Sequence, residues 1–115
     1  MSESPAVVRC DSIEWENVGE GIRRQVLAYG PELMIVRVDF KSGGVGSIHH
    51  HPHRQATYVA RGSFQATIGG KTVTISEGDS FFAANDVPHG VVALEDGTLI
   101  DTFTPAREDF VGKRG

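Results

Sequence analysis

Ser63-Phe64-Gln65-Ala66-Thr67-Ile68-Gly69-Gly70-Lys71-Thr72-Val73-Thr74-Ile75-Ser76 reads as two strands joined by a turn. Phe64, Ala66 and Ile68 alternate with polar residues, as do Val73 and Ile75, and period two is the signature of a half-buried strand. Gly69-Gly70 supplies the two residues free to take positive φ that a tight hairpin needs. The same grammar continues in both directions. Downstream, Glu77-Gly78-Asp79 turns the chain into residues 80–84, Asn85-Asp86-Val87-Pro88 turns it again, and Asp96-Gly97 reads as one more hairpin before Thr98–Thr104. Upstream, residues 32–40 place Met34, Val36, Val38 and Phe40 on one face, and Ser42-Gly43-Gly44 turns the chain toward a further strand carrying the histidines. Turns recur at short intervals, with a helical turn expected only near residues 106–110. An all-β sandwich or barrel follows. Phe64, Phe81 and Phe82 are assigned to its core.

The chain has 115 residues and a formal net charge of −4. That length suits a single domain, 1–115, with a core at about residues 13–111. An acidic chain without a basic patch argues against nucleic acid or an anionic membrane as partner. One cysteine, Cys10, excludes an intrachain disulfide framework and fits a reducing compartment; in a polar lead-in it reads as an incidental thiol. No apolar run reaches spanning length and Met1–Pro5 lacks the pattern of a signal peptide, so the expected location is the cytoplasm.

The chemistry concentrates in His49-His50-His51-Pro52-His53-Arg54-Gln55, with His89 far downstream at the start of a later strand. On a strand, side chains two apart share a face, so His49, His51 and Gln55 can converge. Imidazole nitrogen and amide oxygen suit one divalent transition metal of the Ni, Zn, Mn, Co or Fe kind. A solvated histidine tract remains the alternative, and Gln55 can instead act as an amide beside a three-histidine site. His50 is expected to face away, and His53 either to stand behind the ligands or to line the mouth of the site.

Gly43-x5-His49-x-His51-x3-Gln55-x6-Gly62 (residues 43–62) and Gly78-Asp79…Pro88-His89 (within 78–93) resemble the two motifs of the cupin family. Membership implies a double-stranded β-helix of the jelly-roll type with a metal in the barrel mouth, held here by His49, His51, Gln55 and His89. The family's usual glutamate is replaced by Gln55, and its proline and asparagine in the second motif by Ala84 and Ala93. A neutral ligand leaves the full charge on the ion, which favours Lewis-acid work over the stabilisation of high oxidation states. The segments Ile13-Glu-Trp15-Glu-x-x-Gly19-x-Gly-Ile22-Arg-Arg24 and Leu99-Ile-Asp101-Thr-Phe103-Thr-Pro-Ala-Arg107-Glu-Asp-Phe110 look like the KdgF-type cupins of pectin and alginate breakdown. That resemblance implies conversion of 4,5-unsaturated uronate monosaccharides to linear keto sugar acids, with Asp101, Phe103 and Arg107 as the working residues. It also implies a homodimer. His50 and Arg54 depart from the small and acidic residues usual there.

The residues speak to the same roles. Leu99, Asp101 and Phe103 share a strand face; if that face is internal, Asp101 is a carboxylate out of water that needs compensation. The opposite register would bury Ile100 and leave Asp101 in solvent. Arg107 offers a planar fork suited to a carboxylate, or else is a solvated arginine at a strand exit. Two rival functions stay open: another metalloenzyme on the same barrel, such as a dioxygenase or isomerase, and a non-catalytic metal- or sugar-binding protein.

Overall fold

The computed structural model describes residues 3–112. After a 3₁₀ turn at Cys10–Ser12 the chain forms ten strands: β1 (Glu16–Gly19), β2 (Ile22–Gly30), β3 (Leu33–Phe40), β4 (Val45–His49), β5 (Arg54–Arg61), β6 (Ser63–Ile68), β7 (Lys71–Ser76), β8 (Ser80–Ala83), β9 (His89–Ala93) and β10 (Gly97–Thr104). One short helix, α1 (Glu108–Gly112), follows. The helical turn expected at 106–110 thus lies slightly later.

Two antiparallel sheets result. One has six strands in the order β1-β2-β3-β10-β5-β8, the other four in the order β4-β9-β6-β7. Every connection from β3 to β6 and from β7 to β10 crosses from one sheet to the other. The two sheets therefore close over one core as a jelly roll, and the crossing loops gather at the barrel's ends. Gly69-Gly70 is the hairpin expected, both residues at positive φ (57° and 83°), joining β6 to β7 within one sheet. Asp96-Gly97 is not a hairpin: β9 pairs with β4 and β6, while β10 pairs with β3 and β5, so this turn passes between sheets. Local turn chemistry is the same in both cases, and only the long-range pairing distinguishes them.

Alternation selects the core. Met34, Val36, Val38 and Phe40 on β3 are buried, as are Phe64 and Ala66 on β6 and Val59 on β5. Phe40 and Phe64 meet edge to face at 5.1 Å between ring centroids, a pairing worth about 0.5–1.5 kcal/mol beyond its area. Phe82 corrects the core assignment: successive residues on a strand face opposite ways, so Phe81 packs against the core and Phe82 is 58% exposed. Val73 is exposed as well, because β7 is the outer strand of its sheet. Cys10 is an exposed free thiol. Among the described residues no helix is long and apolar enough to cross a membrane.

Candidate metal centre and active site

Three histidines from two crossing loops meet at one point. One ring nitrogen from each of His49, His51 and His89 lies within 4.8 Å of the other two, close enough for all three to be offered to a single ion. His49 ends β4 and His89 opens β9, and the two are paired in register. Gln55 lies near the start of β5, on the other sheet. His51 is on no strand: residues 50–53 form the crossover between the sheets, where Pro52 can give no ladder hydrogen bond. The convergence expected from strand period is therefore present, but a loop produces it. That loop is pinned to the turn before β9, with Asp86 N donating to His51 O (2.8 Å) and Asn85 Nδ2 to Pro52 O (2.6 Å).

Backbone carbonyls orient each ring. Nδ1 of His49, His51 and His89 lies 2.9 Å from the carbonyl of Ser47, His53 and Val87 respectively. A carbonyl only accepts, so Nδ1 carries the proton and, in the neutral ring, Nε2 presents a lone pair. Burial is the main force lowering the pKa of both His51 and His89, which favours that neutral form.

The amide of Gln55 is fixed from its other side. Thr57 Oγ1 donates its single proton to Asp101 Oδ1 at 2.7 Å, so toward Gln55 it can only accept. Gln55 therefore turns its Nε2 to Thr57 (2.9 Å) and Asp101 Oδ1 (3.3 Å), and its Oε1 to the histidines. Oε1 then stands 3.1 Å from His51 Nε2 and 3.0 Å from His89 Nε2. Lone pairs face lone pairs with no proton between them. A cation at this point satisfies all of them, so the donor set fits a metal.

The tight pairing of β4 with β9 depends on Gly90. A Cβ there would lie 2.8 Å from both Gly46 O and Ile48 N, backbone atoms that move only with β4. Gly90→Ala should destabilise the fold by about 1–3 kcal/mol and weaken metal binding by separating His49 from His89, as thermal unfolding and a metal titration would show.

Asp101 lies directly across from Val36 on β3 and Thr57 on β5, both buried, whereas Ile100 lies across from Arg37 and Tyr58. Partners in register share a face, so Asp101 points inward and the register that would bury Ile100 is excluded. Burial drives its pKa up to about 6, against the hydrogen bonds from Thr57 and Gln55 and the charges of His49 and Arg107 that pull it down. Both of those hydrogen bonds end on Oδ1; Oδ2 makes none among the described residues. Asp101, Phe103, His49, Gln55 and Arg107 line one cavity of about 440 Å³. Phe103 sets its ring edge to face with His51, at 5.7 Å. Leu99, on the same strand face, packs in the core instead.

Arg107 is not a solvated strand-exit arginine: only 13% of its side chain is exposed, and Nε and Nη2 donate to the two carboxylate oxygens of Asp109 (3.1 and 2.9 Å). Its fork thus meets a carboxylate of this chain already. Burial pushes the Asp109 carboxyl up, but the bond and charge of Arg107 outweigh it and hold it below the usual range. His50 faces away, near Asp86 at 3.5 Å. His53 borders a neighbouring surface pocket with His51 and Arg107, and burial lowers its pKa. Arg54 donates to Asn85. The sequence reading missed two residues of the cavity region, Thr57 and Arg24. The available signal was alternation, since Thr57 shares a face with Gln55 and Arg24 with Ile22 and Val26.

Comparison with known proteins agrees with this geometry. The model of the cupin domain matches residues 36–102. The pectin degradation protein KdgF of Dickeya dadantii is 44% identical over 103 residues, 88% of this chain and 94% of that protein. Among solved structures, an RmlC-like cupin from Shewanella frigidimarina superposes with a TM-score of 0.92 at 42% identity, covering 96% of this chain and 99% of that one. KdgF from Halomonas sp. superposes with a TM-score of 0.88 at 38% identity, covering 93% and 99%. A jelly roll of two antiparallel sheets, a histidine triad at its mouth and these matches along nearly its whole length make the chain a member of the cupin family, of the KdgF type.

Proposed function

We propose that this protein is a metal-dependent enzyme that converts 4,5-unsaturated uronate monosaccharides, released in pectin or alginate breakdown, to linear keto sugar acids. The similarity to a pectin degradation protein supports the pathway. The observation that carries the chemistry is the link from Asp101 through the Gln55 amide to the two buried histidines.

His49, His51, Gln55 and His89 would hold one divalent transition ion, which supplies Lewis acidity toward an oxygen of the sugar. The net reaction is an isomerisation. The hemiacetal hydroxyl loses its proton, the bond from C1 to the ring oxygen breaks, and an aldehyde and an enol result; protonation at C4 and loss of the enol proton then give the ketone. Asp101, which lines the cavity with His49 and Gln55, would move these protons. Thr57 and Gln55 hold its Oδ1, so Oδ2 is the oxygen left to accept a proton and to deliver it. Phe103 gives the cavity an apolar wall, and Arg107, already paired with Asp109, would add a guanidinium to the cavity that receives the sugar acid.

The test is direct. Metal-loaded protein added to a 4,5-unsaturated uronate should accelerate loss of the double-bond absorbance with no uptake of oxygen. Oxygen consumption would replace this reading with a dioxygenase. Saturable binding of the sugar without turnover would replace it with a binding protein.

A further inference from the structure

The cavity contains a second arginine, whose guanidinium is only loosely paired within the protein. Arg24 lies on β2 between Ile22 and Val26, both buried, on the face turned into the barrel. It lines the same cavity as His49, Asp101, Phe103 and Arg107. Only 14% of its side chain is exposed, yet its Nε is shut off from solvent with no hydrogen-bond partner. Glu16 Oε2 approaches Nη2 at 3.6 Å, close enough to answer part of the charge but long for a hydrogen bond. The guanidinium carbon lies over the Phe110 ring, 3.7 Å from its centroid, a cation–π contact that holds the group at the cavity.

Arg107 differs in one respect that matters. It stacks on the same Phe110 ring at 4.2 Å, but its Nε and Nη2 are both spent on the two oxygens of Asp109. Of the two guanidinium groups bordering the cavity, Arg24 has the greater unmet capacity for a planar anion. A neutral sugar would leave Arg24 with only the 3.6 Å approach of Glu16 to answer its charge. A carboxylate would answer charge and donors together.

We propose that Arg24 is a substrate-binding residue that pairs with the carboxylate of the sugar acid and makes the site selective for acids over neutral sugars. This rests on the uronate reading above, and the experiment separates the two. Metal-loaded wild type, Arg24→Gln and Arg24→Lys are compared on a 4,5-unsaturated uronate and on its methyl ester. Arg24→Gln should raise KM for the acid about tenfold or more with kcat within about threefold, and should abolish the preference for acid over ester. Arg24→Lys keeps the charge but loses the planar fork, so it should recover part of the preference. A structural role would instead lower kcat or the melting temperature and leave that preference intact, and such a result overturns the proposal. If wild type does not turn over the uronate, the functional reading fails independently. Calorimetric binding of galacturonate against galactose then decides the role of Arg24: a preference for the acid that Arg24→Gln removes supports it, and one that Arg24→Gln retains, or no preference, overturns it. Should Arg24→Gln not fold, Arg24→Lys alone decides by the same comparison.

Discussion

Asp101→Asn should lower turnover of an unsaturated uronate by about 10²–10⁴-fold, the usual worth of a positioned proton carrier. The substitution isolates the charge. An asparagine oxygen at the Oδ1 position still accepts from Thr57 and Gln55, so the Gln55 amide keeps its orientation and Oε1 still faces the histidines. Metal content should therefore stay at the wild-type level. Stability should hold or rise, because the variant removes a carboxylate whose pKa burial has driven up to about 6. Steady-state kinetics, elemental analysis and thermal unfolding on one preparation test all three expectations. An unchanged rate would show that the proton moves through another group.

His51→Ala should have an effect of similar size by a different route. His51 is 7% exposed, hydrogen-bonded on one ring nitrogen to its own loop and facing Gln55 with the other. Its loss removes one of the groups proposed to hold the ion, so metal affinity should fall by more than the 10–100-fold typical of losing an outer partner, and turnover should fall with it. Added metal should raise the melting temperature of wild type, since an ion that binds only the folded chain stabilises it by mass action. The same addition should leave His51→Ala unmoved. A variant that retains one equivalent of metal would show that His49, Gln55 and His89 suffice.

The strands of this fold were legible because alternation and turn chemistry are local. Met34 to Phe40 on one face and the Gly69-Gly70 hairpin follow from residues next to one another. Which strands pair is not local, and so Asp96-Gly97, similar in composition to a hairpin turn, proved to be a crossing between sheets. The site divided in the same way. The residue types at 49, 51, 55 and 89 pointed to a metal, and period two put Leu99, Asp101 and Phe103 on one face of β10, but only the pairing with β3 and β5 turned that face inward. The route by which His51 arrives was not legible either, because a loop positions it through hydrogen bonds to the turn before β9. Arg24 was visible in principle as a charge between Ile22 and Val26. Its meaning came only from Phe110, far along the chain, and from a cavity whose lining is drawn from Val18 to Phe110.

The short path from Gln55 Nε2 to Asp101 Oδ1 also bears on how such barrels can vary over evolution. A glutamate at position 55 would turn an oxygen toward Asp101 where an amide proton now stands, setting two carboxylates about 3.3 Å apart. At that distance the two cannot both remain ionised, and one would have to hold a proton. Positions 55 and 101 are therefore constrained as a pair. Glutamine at 55 leaves Asp101 free to ionise, whereas glutamate there would oblige one of the two carboxyls to stay protonated.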